Sequence, residues 1–138
     1  MSAEPLLTDL DRRTIAVSKA LAADAVEKAG SGHPGTPISL ASVAWLLYQR
    51  EMVHDPLDPG WLGRDRFVLS IGHASLMQYI QLFLAGYDID LSGFTAFRSP
   101  AGLPGHPEFG EVAGVETTTG PLGAGFANAV GLAMAARR

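Results

Sequence analysis

The sequence contains no cysteine. Disulfides, thiolate nucleophiles and thiolate metal sites are therefore excluded, while the redox compartment is left undecided. Basic residues are also few, because 10 Lys and Arg stand against 14 Asp and Glu, giving a formal net charge of −4. The charges are scattered without long runs, so no positive stripe is available to follow a phosphate backbone. We expect no nucleic-acid partner.

Long apolar runs are missing as well. The start, MSAEPLLTDLDRR, carries acids early and has no apolar stretch of signal-peptide length, so we expect a cytoplasmic protein. The most lipid-like stretch, residues 120–136, is uncharged but shorter than the ~20 residues of a spanning helix, and it contains Pro121 and Asn128. We therefore expect no membrane partner and interpret this stretch as a core helix of a soluble protein.

Convincing strands are scarce in a chain whose 138 residues are 47% hydrophobic, a composition typical of one globular domain or less. Only residues 67–71, FVLSI, form the apolar run typical of a strand buried on both faces of a parallel sheet. A lone strand leaves backbone groups without partners, each costing about 1 to 3 kcal/mol when buried. We therefore predict an α/β fold, mostly helical here, in which residues 1–138 are the N-terminal portion of an incomplete larger domain.

Capping and periodicity predict the helices. Thr8 and Asp11 form an acidic capping box that opens a helix to about Ala29, with Gly30 as its end. A second helix is predicted to start at Ser39 as N-cap. A third follows the strand and ends at Gly86, a short segment lies near residues 91–97, and a last helix follows the glycine-rich turn. The predicted buried faces are Ala22, Ala25, Val26 and Ala29; Leu40, Val43, Ala44 and Leu47; Leu76, Tyr79, Ile80 and Phe83; and Phe126, Ala129, Val130 and Ala133.

Three of the four histidines lie in Gly- or Pro-rich turns: His33 in SGHPG, His73 in IGHAS and His106 in PGHPE. His54 lacks this setting. Imidazoles titrate near neutrality, so several that converge would suit proton transfer among hydroxyl and carbonyl oxygens. Each one alone is more typical of an ordinary turn residue than of a functional one. Zinc is a poor alternative, because these histidines are about 30 to 40 residues apart without HExxH or a Cys/His pair.

Two loops are candidates for ligand binding. Residues 99–114 are rich in Pro and Gly yet hold His106, Glu108 and Glu111, a mixture that favours a functional loop. GPLGAG, residues 120–125, is neither a P-loop nor GxGxxG. It predicts a turn whose exposed backbone can lie flat against a ligand ring, with Leu122 as an apolar wall.

Taken in order, SGHPG, DRFVLSIGHAS, PGHPE and GVETTTGPLGAG closely resemble the N-terminal half of the thiamine-diphosphate-binding domain of the transketolase family. The resemblance covers about Leu10 to the end. It implies a partial thiamine-diphosphate-binding fold, the diphosphate-binding (PP) domain, with a parallel sheet flanked by helices. It also implies transfer of a two-carbon ketol unit from a ketose phosphate to an aldose phosphate, as in the pentose phosphate pathway. The cofactors would be thiamine diphosphate with Mg or Ca, in a homodimer whose sites lie between subunits.

The resemblance also implies roles for single residues. His33 would contact substrate hydroxyls and assist proton transfer, His73 would lie between the diphosphate and the substrate, and His106 would hold the donor's terminal hydroxyl end. These three are the predicted catalytic residues. The predicted cofactor-binding residues are His73, Gly120, Pro121, Leu122 and Gly123. No metal ligand is predicted within this chain, since the family's GDG motif, its later Asn and the glutamate that activates the aminopyrimidine belong to later segments.

Three features depart from the usual family pattern. Leu103 stands where Thr or Ser is common, Ala124 stands where Gln is common, and residues 99–102 are about one residue short and lack the usual basic residue. These departures bear on the geometry around His106 and on one hydrogen bond of the GPLG loop. They leave the three histidines unchanged.

The sequence thus predicts a fragment of a transketolase that binds sugar phosphates together with the rest of its chain and is inactive alone. A ketol transferase such as dihydroxyacetone synthase is the enzymatic alternative. A noncatalytic binding module derived from the same fold is the alternative of a different class. The preferred sugars are not predicted.

Overall fold

The structure, a computed structural model, describes residues 7–137. Predictions that touch residues 1–6 or Arg138 lie outside this range. The described chain is mostly helical, and no strand is assigned within it. The helices are α1 (Asp9–Ala29), α2 (Gly35–Ser39), α3 (Ala41–Leu46), α4 (Ser75–Leu84), α5 (Leu91–Thr95) and α6 (Ala124–Ala135), with a π-helical turn (Leu47–Glu51) and a 3₁₀ turn (Gly72–Ala74).

Helix α1 confirms the predicted capping box. The Thr8 hydroxyl accepts a hydrogen bond from the Asp11 N–H at 3.2 Å, and the Thr8 N–H donates to the Asp11 carboxylate at 2.8 Å. Gly30 ends the helix in the left-handed conformation, with φ of 65°. Ala22 and Ala25 are buried, with Val26 and Ala29 packed beside them, so the small-residue face packs against the core as predicted.

The start of the second helix was predicted wrongly. The chain forms α2 from Gly35, so the loop after α1 is shorter than predicted, and α3 begins only at Ala41. Ser39 ends α2 instead of capping a helix, because its hydroxyl donates back to the Thr36 carbonyl at 3.2 Å. The buried face also differs, since Leu40 and Val43 are exposed. The residues buried on this segment are Ala41, Ala44, Trp45 and Tyr48.

Helix α4 lies at the centre of the molecule. All residues from Ser75 to Leu82 are buried, so the predicted apolar stripe is correct but covers only part of the buried surface. Helices α1, α2 and α3 pack against it, and Tyr87, Phe94 and Val115 complete the main core. The segment ends at Gly86 as predicted, where φ is 91°.

Residues 65–69 form neither helix nor strand. A strand is assigned by hydrogen bonds to a neighbouring strand, and none is assigned between residues 7 and 137. Leu69 is nonetheless buried against Ala44, Ala74 and Met77, as one face of the predicted strand would be. The parallel sheet therefore stays a prediction.

Helix α6 has the predicted apolar sequence but not the predicted burial. Phe126 is 71% exposed and Val130 is 46% exposed, while only Gly125 is buried along the helix. The core prediction fails because the described elements leave this apolar side uncovered. No helix in the described part of the chain is both long and apolar enough to cross a membrane.

Candidate active site

His33 and His73 meet although they are far apart in the sequence. Their rings are in edge-to-face contact, with centroids 5.0 Å apart. His33 lies in the short loop between α1 and α2, where Gly32 has a φ of 142° that a residue with a side chain rarely adopts. His73 lies in the 3₁₀ turn at the start of α4, so the two helix ends together place the pair.

His106 lies against the GPLG loop. A methyl group added to Gly120 would stand 3.7 Å from imidazole Cδ2, so the ring lies beside the loop at Gly120. The turn that carries His73 presses on the same loop, since a methyl group on Gly72 would stand only 2.7 Å from the Thr119 carbonyl carbon. The structure therefore brings all three predicted histidines and the GPLG loop into one region.

A second close approach links the predicted strand to the start of α6. A methyl group on Gly125 would stand 2.6 Å from the Ser70 Cα. The Phe126 N–H donates to the Ser70 hydroxyl at 3.1 Å. The backbone at Ser70 therefore lies directly against the start of α6. Since Ser70 precedes the His73 turn and α6 follows the GPLG loop, this contact holds the turn and the loop in a fixed relative position.

The backbone around His106 is fixed by hydrogen bonds from other elements. The Ser75 hydroxyl donates to the Gly105 carbonyl at 2.9 Å, and the Tyr79 hydroxyl donates to the His106 carbonyl at 2.8 Å. The Thr119 N–H donates to the carbonyl of the next residue, buried Pro107, at 3.1 Å. Sequence reasoning assigned Tyr79 to the core and passed over Ser75, although two hydroxyls one turn apart on an apolar helix were the available signal.

Two of the departures from the family pattern lie near His106, and the structure shows what Leu103 and a nearby basic residue contact there. Leu103 is buried in the core, where its backbone N–H donates to the Gly93 carbonyl at 3.2 Å, so it anchors the loop to α5. Arg98 places its guanidinium against Gly105, with Nε 3.3 Å from the position of an added methyl group there. A basic side chain therefore lies beside this loop although residues 99–102 have none.

An ion-pair cluster, half-buried at Arg64 and Glu116, supports the segment that leads into the GPLG loop. Arg64 binds the Glu116 carboxylate with both terminal nitrogens, at 2.5 and 3.2 Å. Arg66 Nε lies 3.7 Å from the same carboxylate. The sequence showed no signal for this pairing, because the partners are about fifty residues apart and no local pattern relates them.

His54 stands apart from the site. Its Nε2 lies 2.9 Å from the Tyr48 carbonyl oxygen, and its Nδ1 lies 3.4 Å from the Tyr87 hydroxyl. Both ring nitrogens therefore have protein partners. This histidine joins the turn after α3 to the core, in keeping with its different sequence setting.

The GPLG loop itself presents apolar and backbone groups outward. Leu122 is 73% exposed, and Gly123 has a φ of 91° just before α6 begins. Pro121 is also exposed, and its carbonyl accepts the Ala124 N–H at 3.2 Å. The buried Thr119 hydroxyl next to this loop has no hydrogen-bond partner among residues 7–137. A flat ring could therefore stack on Leu122 and the Gly120 backbone.

A helical framework thus gathers imidazoles from three turns beside an exposed glycine-rich loop, an arrangement typical of a ligand-binding domain. The family profile described as "Transketolase, thiamine diphosphate binding domain" matches residues 10–138. The chain belongs to the transketolase family.

Individual relatives agree with this assignment. The chain is 56% identical over 131 residues to the transketolase of Mycobacterium tuberculosis strain H37Rv, covering 94% of this chain and 19% of that protein. It is 55% identical over 120 residues to transketolase 2 of Escherichia coli K12, covering 86% and 18%. A structure of Pichia stipitis transketolase in complex with sedoheptulose-7-phosphate superposes with a TM-score of 0.89 at 46% identity, covering 93% and 19%. The chain thus spans about a fifth of the length of these relatives.

Proposed function

We propose that this chain supplies the substrate-facing histidines and the ring-contacting loop of a transketolase, which transfers a two-carbon ketol unit from a ketose phosphate to an aldose phosphate. The convergence of His33, His73 and His106 beside the GPLG loop carries the proposal, since the family match covers all four motifs. The sugar phosphate bound in the Pichia stipitis structure supports this substrate class.

Thiamine diphosphate, when bound, supplies the carbon centre that holds the ketol unit between donor and acceptor. The exposed Leu122 and the bare backbone of Gly120 fit the ring of this cofactor, with Pro121 and Gly123 shaping the same turn. The Thr119 hydroxyl, buried and without a partner among the described residues, leaves one polar group for a ligand or water beside the loop.

The histidines would manage protons and orient the sugar. We propose that His73 lies between the diphosphate and the substrate and that His33, in ring contact with it, exchanges protons with substrate hydroxyls. His106, which lies beside Gly120, would hold the terminal hydroxyl end of the donor. Three imidazoles in one region allow protons to move between neighbouring oxygens without a change in the framework.

The metal that accompanies the diphosphate, Mg or Ca, would be bound by residues outside this chain. Across residues 7–137 no group of three or more His, Asp or Glu side chains is placed to hold a metal ion. We propose that a GDG motif and a following Asn supply the ligands.

The remaining elements of the proposal concern the larger protein. We propose that residues 1–138 form the N-terminal portion of the diphosphate-binding domain, with residues 67–71 as one strand of its parallel sheet. A groove of about 550 Å³ between residues 62–68 and α6, together with the exposed face of α6, supports further elements packing there. A homodimer in the cytoplasm, acting in the pentose phosphate pathway, completes the proposal.

One genetic and one biochemical experiment test the function. The reading frame that carries this chain should encode GDG and a following Asn downstream, and their absence would contradict the proposal. The matching segment of Escherichia coli transketolase 2 can also be replaced by this chain. The chimera should bind thiamine diphosphate with magnesium by calorimetry and transfer ketol units between sugar phosphates.

The alternatives predict different outcomes. A dihydroxyacetone synthase-like enzyme would prefer formaldehyde as acceptor when the full-length protein is assayed. A noncatalytic module would show a stop codon after residue 138, a cooperative thermal transition of the isolated chain and no transfer in the chimera.

A further inference from the structure

The turn that carries His106 is held through its backbone. Three consecutive carbonyl groups, those of residues 105–107, each accept a hydrogen bond from another part of the chain. Two of the donors, Ser75 and Tyr79, are side chains of α4. An imidazole follows its own backbone, so these hydroxyls determine where the ring of His106 can stand.

The two donors are themselves firmly placed. Ser75 and Tyr79 are four residues apart on α4, so they lie on the same face of the helix, and both are fully buried. Burial raises the pKa of Tyr79, and the nearby charges of Glu108 and Glu111 raise it further. The phenol therefore keeps its proton and remains a hydrogen-bond donor.

We infer that Ser75 and Tyr79 are positioning residues that hold the His106 imidazole at its place in the active site. The inference rests on the proposed function, because that function gives His106 a donor hydroxyl to bind. Without the Tyr79 hydroxyl, the His106 carbonyl loses its partner, and the turn relaxes away from α4. The imidazole then moves relative to the GPLG loop, and donor binding weakens.

The kinetic test uses the chimera with Escherichia coli transketolase 2. Tyr79→Phe removes one hydroxyl and keeps the ring, and it should raise the donor KM about threefold to tenfold, the effect of one hydrogen bond. Because His33 and His73, the residues proposed to act on the reacting end of the substrate, keep their places, kcat should change less than about twofold. Ser75→Ala should act in the same direction. A donor KM within about twofold of the unsubstituted chimera in Tyr79→Phe would overturn the inference.

Tyr87→Phe is the matched control. It also removes a buried tyrosine hydroxyl, one that lies 3.4 Å from His54 Nδ1 and away from the His106 turn. It should lower the thermal midpoint and leave the donor KM unchanged. Equal KM effects in Tyr79→Phe and Tyr87→Phe would mean that Tyr79 contributes only to stability.

Hydrogen exchange separates this inference from the proposed function. Amide exchange across residues 105–111, followed by mass spectrometry on the same chimeras, should become faster in Tyr79→Phe and remain unchanged in Tyr87→Phe. This readout requires no catalysis. An inactive unsubstituted chimera would therefore contradict the proposed function, while unchanged exchange in Tyr79→Phe would contradict the positioning role.

Discussion

At the residue scale, Gly72 shows how closely the site is assembled. It lets the turn that carries His73 lie against the backbone that leads into the GPLG loop, where a single methyl group would stand 2.7 Å from a carbonyl carbon. Neighbouring backbone cannot move aside as a flexible side chain can. The glycine is therefore required by its surroundings, a requirement that no local sequence rule for turns expresses.

Gly72→Ala should destabilise the chimera by about 1 to 3 kcal/mol, because the added methyl group forces the two loops apart. It should also weaken thiamine diphosphate binding by the chimera. Gly131→Ala is the control, since nothing lies within 4 Å of an added methyl group there and alanine favours the helix. Urea unfolding and calorimetric titration measure both effects. Equal stability of the two variants would show that the contact at Gly72 relaxes freely.

His73 lies in the proposed site and His54 lies outside it, so replacing each by alanine separates an effect on catalysis from an effect on stability. His73→Ala should lower kcat/KM of the chimera about 10²- to 10⁴-fold, the usual contribution of a positioned acid or base, with a small effect on folding. His54→Ala should lower the thermal midpoint, because its ring bonds Tyr48 and Tyr87, and leave kcat/KM of the folded enzyme unchanged. Similar kinetic losses in both variants would argue against a specific role for His73.

At the element scale, the ends of helix α1 were predicted more accurately than the buried faces of the later helices. The capping box and Gly30 predicted both ends of α1, because their geometry is local. The second helix was predicted with the wrong start and face, since Leu40 and Val43 are apolar but exposed. Periodicity identifies an apolar face, and only packing decides which apolar residues are covered.

Thr8→Ala should lower the unfolding free energy of the chimera by about 1 kcal/mol, because the Asp11 N–H loses the hydroxyl that accepts its hydrogen bond. Thr14→Ala serves as its control. The Thr14 hydroxyl bonds back to the Leu10 carbonyl within the helix and is exposed, so alanine should be neutral or stabilising there. Urea unfolding compares the two. A larger loss for Thr14→Ala would contradict the capping role.

The same helix end makes stability depend on pH. The hydrogen bond from the Thr8 N–H lowers the pKa of Asp11 and outweighs the opposing effect of burial. The Thr8 hydroxyl and then Arg50, at 3.2 Å, lower this pKa further. A carboxylate whose pKa is lower in the folded state stabilises the fold above its unfolded pKa, near 4, and loses this effect as the pH falls. The difference in unfolding free energy between the unsubstituted chimera and its Asp11→Asn variant should therefore shrink from pH 7 to pH 3. A constant difference would exclude a charge effect.

At the scale of the whole molecule, the most apolar helix lies on the outside. Helix α6 leaves Phe126, Val130 and Met134 exposed, while the core forms around α4. Sequence reasoning placed α6 in a core because it carries no charge. That interpretation requires neighbours that the described residues do not provide.

The exposed face of α6 should make the isolated chain associate with itself and bind a hydrophobic dye. Val130→Glu should reduce both effects, since it places a charge in the middle of the face. Ala20→Glu, at an exposed position of α1, adds the same single negative charge, so it is the control for a change of surface charge and should have little effect. Analytical ultracentrifugation and dye fluorescence measure the outcome, and unchanged association in Val130→Glu would show that another surface is responsible.

Sequence patterns alone predicted the ends of α1, the turn settings of the three histidines and the family. Each of these depends on residues that are close together in the chain or on motifs in a set order. The strand at residues 67–71 stays a prediction, because a strand exists only through its partners. The long-range contacts are known only from the tertiary structure. They are the ring contact of His33 with His73, the ion pair of Arg64 with Glu116, and the hydrogen bonds from α4 to the His106 turn. These contacts join segments separated by tens of residues, and no local pattern encodes the distance between them.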